Sequence, residues 1–342
     1  MRYSLLSRFR GALLGAAIGE IWGTYGELWQ QGGKQSPPVS PSWGRLLVLG
    51  TEGLIRQGKL DLADWQESGE QPLSLSKENG NVGLGGDNAI ASVSLSSEIV
   101  APFYSPRQRK NGNIGAIITT VPVALFFHED ETKLRQNLHQ VADVWQDESV
   151  LKEGTLAIGY AIALALKEKL AFASLIPATI NYLDVETPLV NQLRQVQTLL
   201  EEGAGLERTL TTLMPRQTSS SVNTPIALAF YCFLSTLEDL RLSVVRAARC
   251  PQPEVTSAIA GALSGAYNSI AGIPVGWRLA LGKQNDHASP LTQLWGLNSE
   301  AELLRLAALL LAAWSGVYDA EKFLIDTSFV PAVAAPKVIK PR

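Results

Sequence analysis

Residues 8–23 read Arg8-Phe9-Arg10-Gly11-Ala12-Leu13-Leu14-Gly15-Ala16-Ala17-Ile18-Gly19-Glu20-Ile21-Trp22-Gly23, with glycine at every fourth position from 11 to 23. A step of four returns to nearly the same face of an α-helix, so the spacing predicts a helix with one ridge bare of side chains. Glycine costs up to ~1 kcal/mol per interior helical position relative to alanine. Four in one register therefore point to close approach by a neighbouring backbone. Gly261 and Gly265, in the small-residue run 258–267, repeat the step and are expected to face the first ridge.

Outward from this ridge, helical periodicity dominates. Leu134, Leu138, Val141, Ala142 and Trp145 form one apolar stripe, and Leu189, Leu193, Val196, Leu199 and Leu200 another. The run 303–311 is apolar nearly all round, which predicts a helix buried between others. Asn223-Thr224-Pro225 reads as a cap and a first-turn proline ahead of a helix. Few windows alternate like strands; residues 91–100 do, and they suit a short helix equally. Stretches 30–41, 67–87, 103–112 and 282–290 read as loops. None divides the chain, so the expectation is an all-α fold in one helical domain, residues 1–329. Residues 330–342, with three prolines, form a tail outside the compact body.

Of the 342 residues, 46% are hydrophobic, which excludes wholesale disorder. Basic residues number 29 and acidic 32, for a net charge of −3. Nothing in that balance argues for a nucleic-acid partner, which would want a basic surface. Two cysteines, Cys232 and Cys250, are too few for a disulfide framework or a four-cysteine zinc site and read as reduced thiols of a cytoplasmic protein. No apolar run reaches the ~18–20 residues that a membrane span needs. Arg2, Arg8 and Arg10 ahead of the run 11–19 imitate a signal peptide, but that run is rich in glycine rather than leucine. It is expected to stay in the mature protein.

Most chemical motifs are missing. His128-Glu129 is followed by Thr132 where a metalloprotease helix needs a second histidine. There is no G-x-S-x-G elbow, and Gly282-Lys283 lacks the phosphate-loop spacing. Residues 83–87 (Gly-Leu-Gly-Gly-Asp) do not fit a dinucleotide fingerprint. His139, beside Leu138 on its predicted helix, reads as a surface or boundary residue.

Four segments do carry a resemblance. The opening 8–20 is similar to R-x-x-G-x-L-L-G-x-A-x-G-D. Asn111-Gly112-Asn113 and the helix to Pro122 resemble G-N-G-x-x-M-R-x-x-P. Residues 223–249 resemble the helices that precede a second metal motif. Residues 257–267 with Ile273-Pro274 and Trp277 resemble A-A-I-A-G-A-L-x-G-A-x-x-G-x-x-x-I-P-x-x-W, the most specific of the four. In this order they resemble the ADP-ribosylglycohydrolases, whose fold is an all-α orthogonal bundle.

The resemblance implies a site for two magnesium ions between a T-D-D-T and a D-x-D-[TS] motif. Aligned on Thr51 and the helix after it, the first motif falls on Pro41, Ser42, Trp43 and Gly44. Aligned on 258–261, the second falls on Gln252, Pro253 and Glu254. The aspartate of the opening is Glu20, and a further family glutamate falls at Glu27. Asn113 belongs to the segment that resembles G-N-G and is a former ligand-site position, Thr119 replaces the arginine of M-R, and the family's threonine-histidine pair falls near Val144 and Trp145.

Magnesium wants six oxygens in near-octahedral order, several of them from carboxylates. Pro41 and Trp43 offer no side-chain oxygen, and Ser42 and Gln252 offer neutral ones. No metal and no cofactor are therefore expected, and no residue is assigned a catalytic role. Trp43 is expected to lie in or over the former cleft. Two readings follow. The first is a degenerate member that binds a protein partner as a scaffold or regulator. The second is an active hydrolase of an ADP-ribosyl or related glycosidic bond whose altered metal site, with magnesium, uses Glu20, Glu27 and Glu254.

Overall fold

The computed structural model describes residues 2–31, 43–60, 114–144, 149–214, 223–282 and 289–316. Among them stand fourteen α-helices and no strand. In chain order these are α1 (Leu5–Tyr25), α2 (Trp43–Gln57), α3 (Thr120–Phe127), α4 (Glu131–Val144), α5 (Ser149–Leu166), α6 (Leu175–Leu183) and α7 (Pro188–Glu201). They continue with α8 (Leu206–Leu213), α9 (Thr224–Leu234), α10 (Leu240–Ala247), α11 (Pro253–Asn268), α12 (Val275–Leu281), α13 (Pro290–Trp295) and α14 (Glu300–Trp314). Short 3-10 turns cover Gly26–Gln31, Ile114–Thr119 and Ile270–Gly272. The strand-like window 91–100, the loops 67–87 and 103–112 and the tail 330–342 lie outside the described residues.

The glycine ridge is one face of α1, and it lies on α11. Ser4 opens α1 by accepting the Ser7 N–H at 3.2 Å, and Gly26, at φ +61°, closes it. The two helices run antiparallel. Gly11 stands against Gly265, Gly15 against Gly261, Gly19 against Ser257 and Gly23 against Pro253. A Cβ built at any of these four glycines of α1 would come closer than 3.0 Å to a backbone carbonyl of α11. The spacing read in the sequence is thus a backbone-on-backbone seam.

This seam is the centre of the core. Arg8, Phe9 and Gly11–Trp22 are all buried. α14 covers another flank of α1, while α5, α9 and α10 pack on α11. A buried cation must be paired. The Arg8 guanidinium donates to the Ala165 carbonyl and to Glu168, each at 2.5 Å, at the C-terminal end of α5, where the helix dipole favours positive charge.

The predicted stripes face inward. Leu134, Leu138, Val141 and Ala142 are buried on α4, and Leu189, Leu193, Val196 and Leu199 on α7; Trp145 lies outside the described residues. On α14, Leu303, Leu306, Ala307, Ala308, Leu310 and Leu311 are buried. One local expectation differs. Pro225 stands in the first turn of α9, but the Asn223 side chain makes no cap hydrogen bond. Its backbone, at φ −76° and ψ −22°, is already helical, not extended as a capping residue needs. No helix of the described residues is long and apolar enough to cross a membrane.

Candidate functional site

The C-terminal end of α1 meets the N-termini of α2 and α11 and the short helix α13. Glu20 stands at this junction, 2% exposed. One carboxylate oxygen accepts the Trp295 indole N–H at 2.7 Å, and the other accepts the backbone N–H of Trp43 at 3.3 Å. The Gly44 backbone adds a further hydrogen bond. Trp43 and Gly44 open α2, so the carboxyl group lies at the positive end of a helix dipole.

Burial outweighs these donors and pushes the Glu20 pKa up to about 8. The charge of Glu254 pushes the same way. Beside it, Tyr25 is pushed up to about 12 by its own burial and by the charge of Glu20. Tyr25 donates to Gln293 Oε1 at 2.8 Å. Arg45 donates to the carbonyls of Thr292 and Gln293 at 3.4 and 3.2 Å and so holds α13 against α2.

Gly44 makes this arrangement possible. A Cβ there would lie closer than 3.0 Å to three atoms of the Trp295 indole. Gly44→Ala is therefore expected to lower stability by roughly 1–3 kcal/mol through overpacking. Urea denaturation reads this, and a midpoint equal to wild type would remove Gly44 from the account.

The other positions singled out in the sequence are distributed differently. Trp43 is buried, and it is the first residue of α2, not part of a loop. Glu254 is half-buried in the first turn of α11, while Gln252 and Glu27 are exposed. Gln252 takes a left-handed backbone, φ +48°, as α11 begins. Thr119 is buried and donates to the Ala116 carbonyl at 2.6 Å. Pro41, Ser42, Asn113 and Trp145 lie outside the described residues. His139 is half-buried on α4. His128 is buried, and burial lowers its pKa below the usual imidazole value.

Trp295, Gly44, Arg45, Tyr25 and Gln293 were not legible as site residues. No motif surrounds Trp295, and its partner Glu20 lies far away in the chain. The usable signal was Gly44, a glycine in the first turn of a helix with no turn to make.

A family model described as ADP-ribosylglycohydrolase matches residues 1–314. The chain belongs to the ADP-ribosylglycohydrolase family. Among solved structures, one described as an ADP-ribosylglycohydrolase-related protein complex is similar at 18% identity and a TM-score of 0.55. The match covers 90% of this chain and 97% of that one. That likeness carries the all-α fold. No curated protein matches the chain.

The two-magnesium site implied by the resemblance to other ADP-ribosylglycohydrolases does not fit the residues described at this junction. Both Glu20 oxygens face N–H hydrogens, whose partial positive charge opposes a cation at the same position. Trp43 brings an apolar ring, and Gln252 and Glu27 stand in solvent.

Proposed function

We propose that residues 1–329 form one helical domain of the ADP-ribosylglycohydrolase type that has lost its catalytic metal chemistry and serves as a binding, scaffold or regulatory protein for a protein partner. The observation that carries this reading is the engagement of Glu20. Its carboxyl group stands where the family opening has an aspartate, and it is held by the Trp295 indole and the Trp43 backbone. A buried carboxyl tied to fixed N–H donors is a structural element. It anchors α1, α2 and α13 to one another. A site in the cytoplasm agrees with two free cysteines.

A second reading rests on Glu254. Its charge pushes the Glu20 pKa up, so two interacting carboxyl groups stand where the end of α1 meets the start of α11. Such a pair is what general acid–base hydrolysis of a glycosidic bond uses.

Titration calorimetry with Mg²⁺ or Mn²⁺ at millimolar concentration separates the two. The expected result is no saturable heat, together with no release of ADP-ribose from modified protein. A two-site isotherm abolished by Glu254→Ala, or magnesium-dependent hydrolysis of an ADP-ribosyl bond, would overturn the first reading in favour of the second.

A further inference from the structure

The two cysteines of the chain come together in the fold. Cys232 lies on α9 and Cys250 in the turn after α10, with Sγ atoms 3.9 Å apart. Both are free thiols, 0% and 4% exposed. The Cys250 thiol donates toward the Arg246 carbonyl at 3.5 Å, which leaves the Cys232 S–H to point at the Cys250 sulfur. We propose that Cys232 and Cys250 form a redox-active dithiol that closes to an intramolecular disulfide on reaction with a peroxide.

The geometry assigns the roles. Cys250 is the outer thiol, between exposed Arg249 and the turn to exposed Gln252, and so meets a small oxidant first. The Cys232 S–H points at the Cys250 sulfur, so the two sulfurs already face each other along the line on which a bond between them would form. The same hydrogen bond, with burial, holds the proton on Cys232 and keeps it the resolving partner. The Arg246 guanidinium, fixed to Ser235 Oγ at 3.0 Å, is the cation whose charge reaches this pair.

In the first step Cys250 loses its proton and attacks the peroxide O–O bond. For hydrogen peroxide this gives a sulfenic acid and one water. In the second step Cys232 loses its proton and attacks the Cys250 sulfur, expelling the sulfenic oxygen as a second water. Two thiols and one peroxide become one disulfide and two waters. The sulfurs must close by roughly 2 Å, within reach of side-chain rotation and a small shift of the turn. That turn leads through Pro251 to Gln252, the left-handed residue from which α11 starts, so the bond would fasten the start of α11 to α9.

Native full-length protein treated with hydrogen peroxide, then denatured without reductant, provides the test. Thiols per chain are expected to fall from two to none. The intact mass should drop by about two hydrogens, and digestion should yield one peptide linking Cys232 to Cys250. Dithiothreitol should restore both thiols. In Cys232→Ser, checked for native helicity by circular dichroism, Cys250 should gain oxygen with no cross-link. Two thiols surviving peroxide in wild type overturn the proposal. Sulfinic acid at Cys250 of wild type, or disulfides between chains, overturn it equally.

Discussion

Gly15→Val is expected to abolish the native fold. The new side chain would start inside the Gly261 carbonyl of α11, and that obstacle is backbone, which no rotamer change moves aside. Relief requires the two central helices to separate along the whole seam, because Gly11, Gly19 and Gly23 make the same approach. Helix propensity works the other way, since glycine is the poorer helix former by up to ~1 kcal/mol. Steric expulsion exceeds that gain. A loss of more than about 4–5 kcal/mol is expected, set against total stabilities of roughly 5–15 kcal/mol. Gly53→Ala is the control. Among the described residues nothing lies within 4 Å of a Cβ built there in the interior of α2, so it should leave stability unchanged or raise it by up to about 1 kcal/mol. Urea unfolding followed by circular dichroism compares them, and a native-like Gly15→Val would mean that the seam is not close-packed.

Stability is also expected to fall with rising pH through Glu20. Its carboxyl has an ordinary pKa of 4.5 and a folded one of about 8. Below the lower value both folded and unfolded chains hold the proton, and the site carries no penalty. Between the two values the folded chain keeps a proton that the unfolded chain has released. The Glu20 contribution then declines by ~1.4 kcal/mol per pH unit. Above about pH 8 the decline stops, with a total on the order of 5 kcal/mol. Other groups titrate in the same range, His128 and His139 among them, with pKa values lowered first by burial. The quantity to measure is therefore the difference between wild type and Glu20→Gln, which is neutral throughout. That difference should shift in favour of the variant as pH rises from about 4.5 to 8. A difference that stays flat across the window would show that Glu20 titrates like a solvated carboxylate.

The sequence carried the seam because a glycine register is a local pattern with a single geometric use. Residues 11–23 and 261–265 announced both partners, and the stripes on α4 and α7 announced which faces turn inward. The candidate site was legible only in outline. Glu20, Trp43 and Glu254 were singled out by resemblance. What binds Glu20 was not, because Trp295 reaches it through the fold and no local spacing encodes that contact. The Asn223 side chain shows the same limit. Its residue type suits a cap, yet its backbone is already helical.

The α1–α11 seam also fixes an order of events during synthesis. α1 is made before its mate, which follows more than two hundred residues later. At ~5–20 residues per second, the ribosome needs roughly 10–50 s to supply it. Throughout that interval the glycine ridge of α1 lacks the helix it packs on most extensively. Pairing of such distant segments makes for slow folding. The nascent chain therefore passes through a long window in which exposed apolar surface favours aggregation.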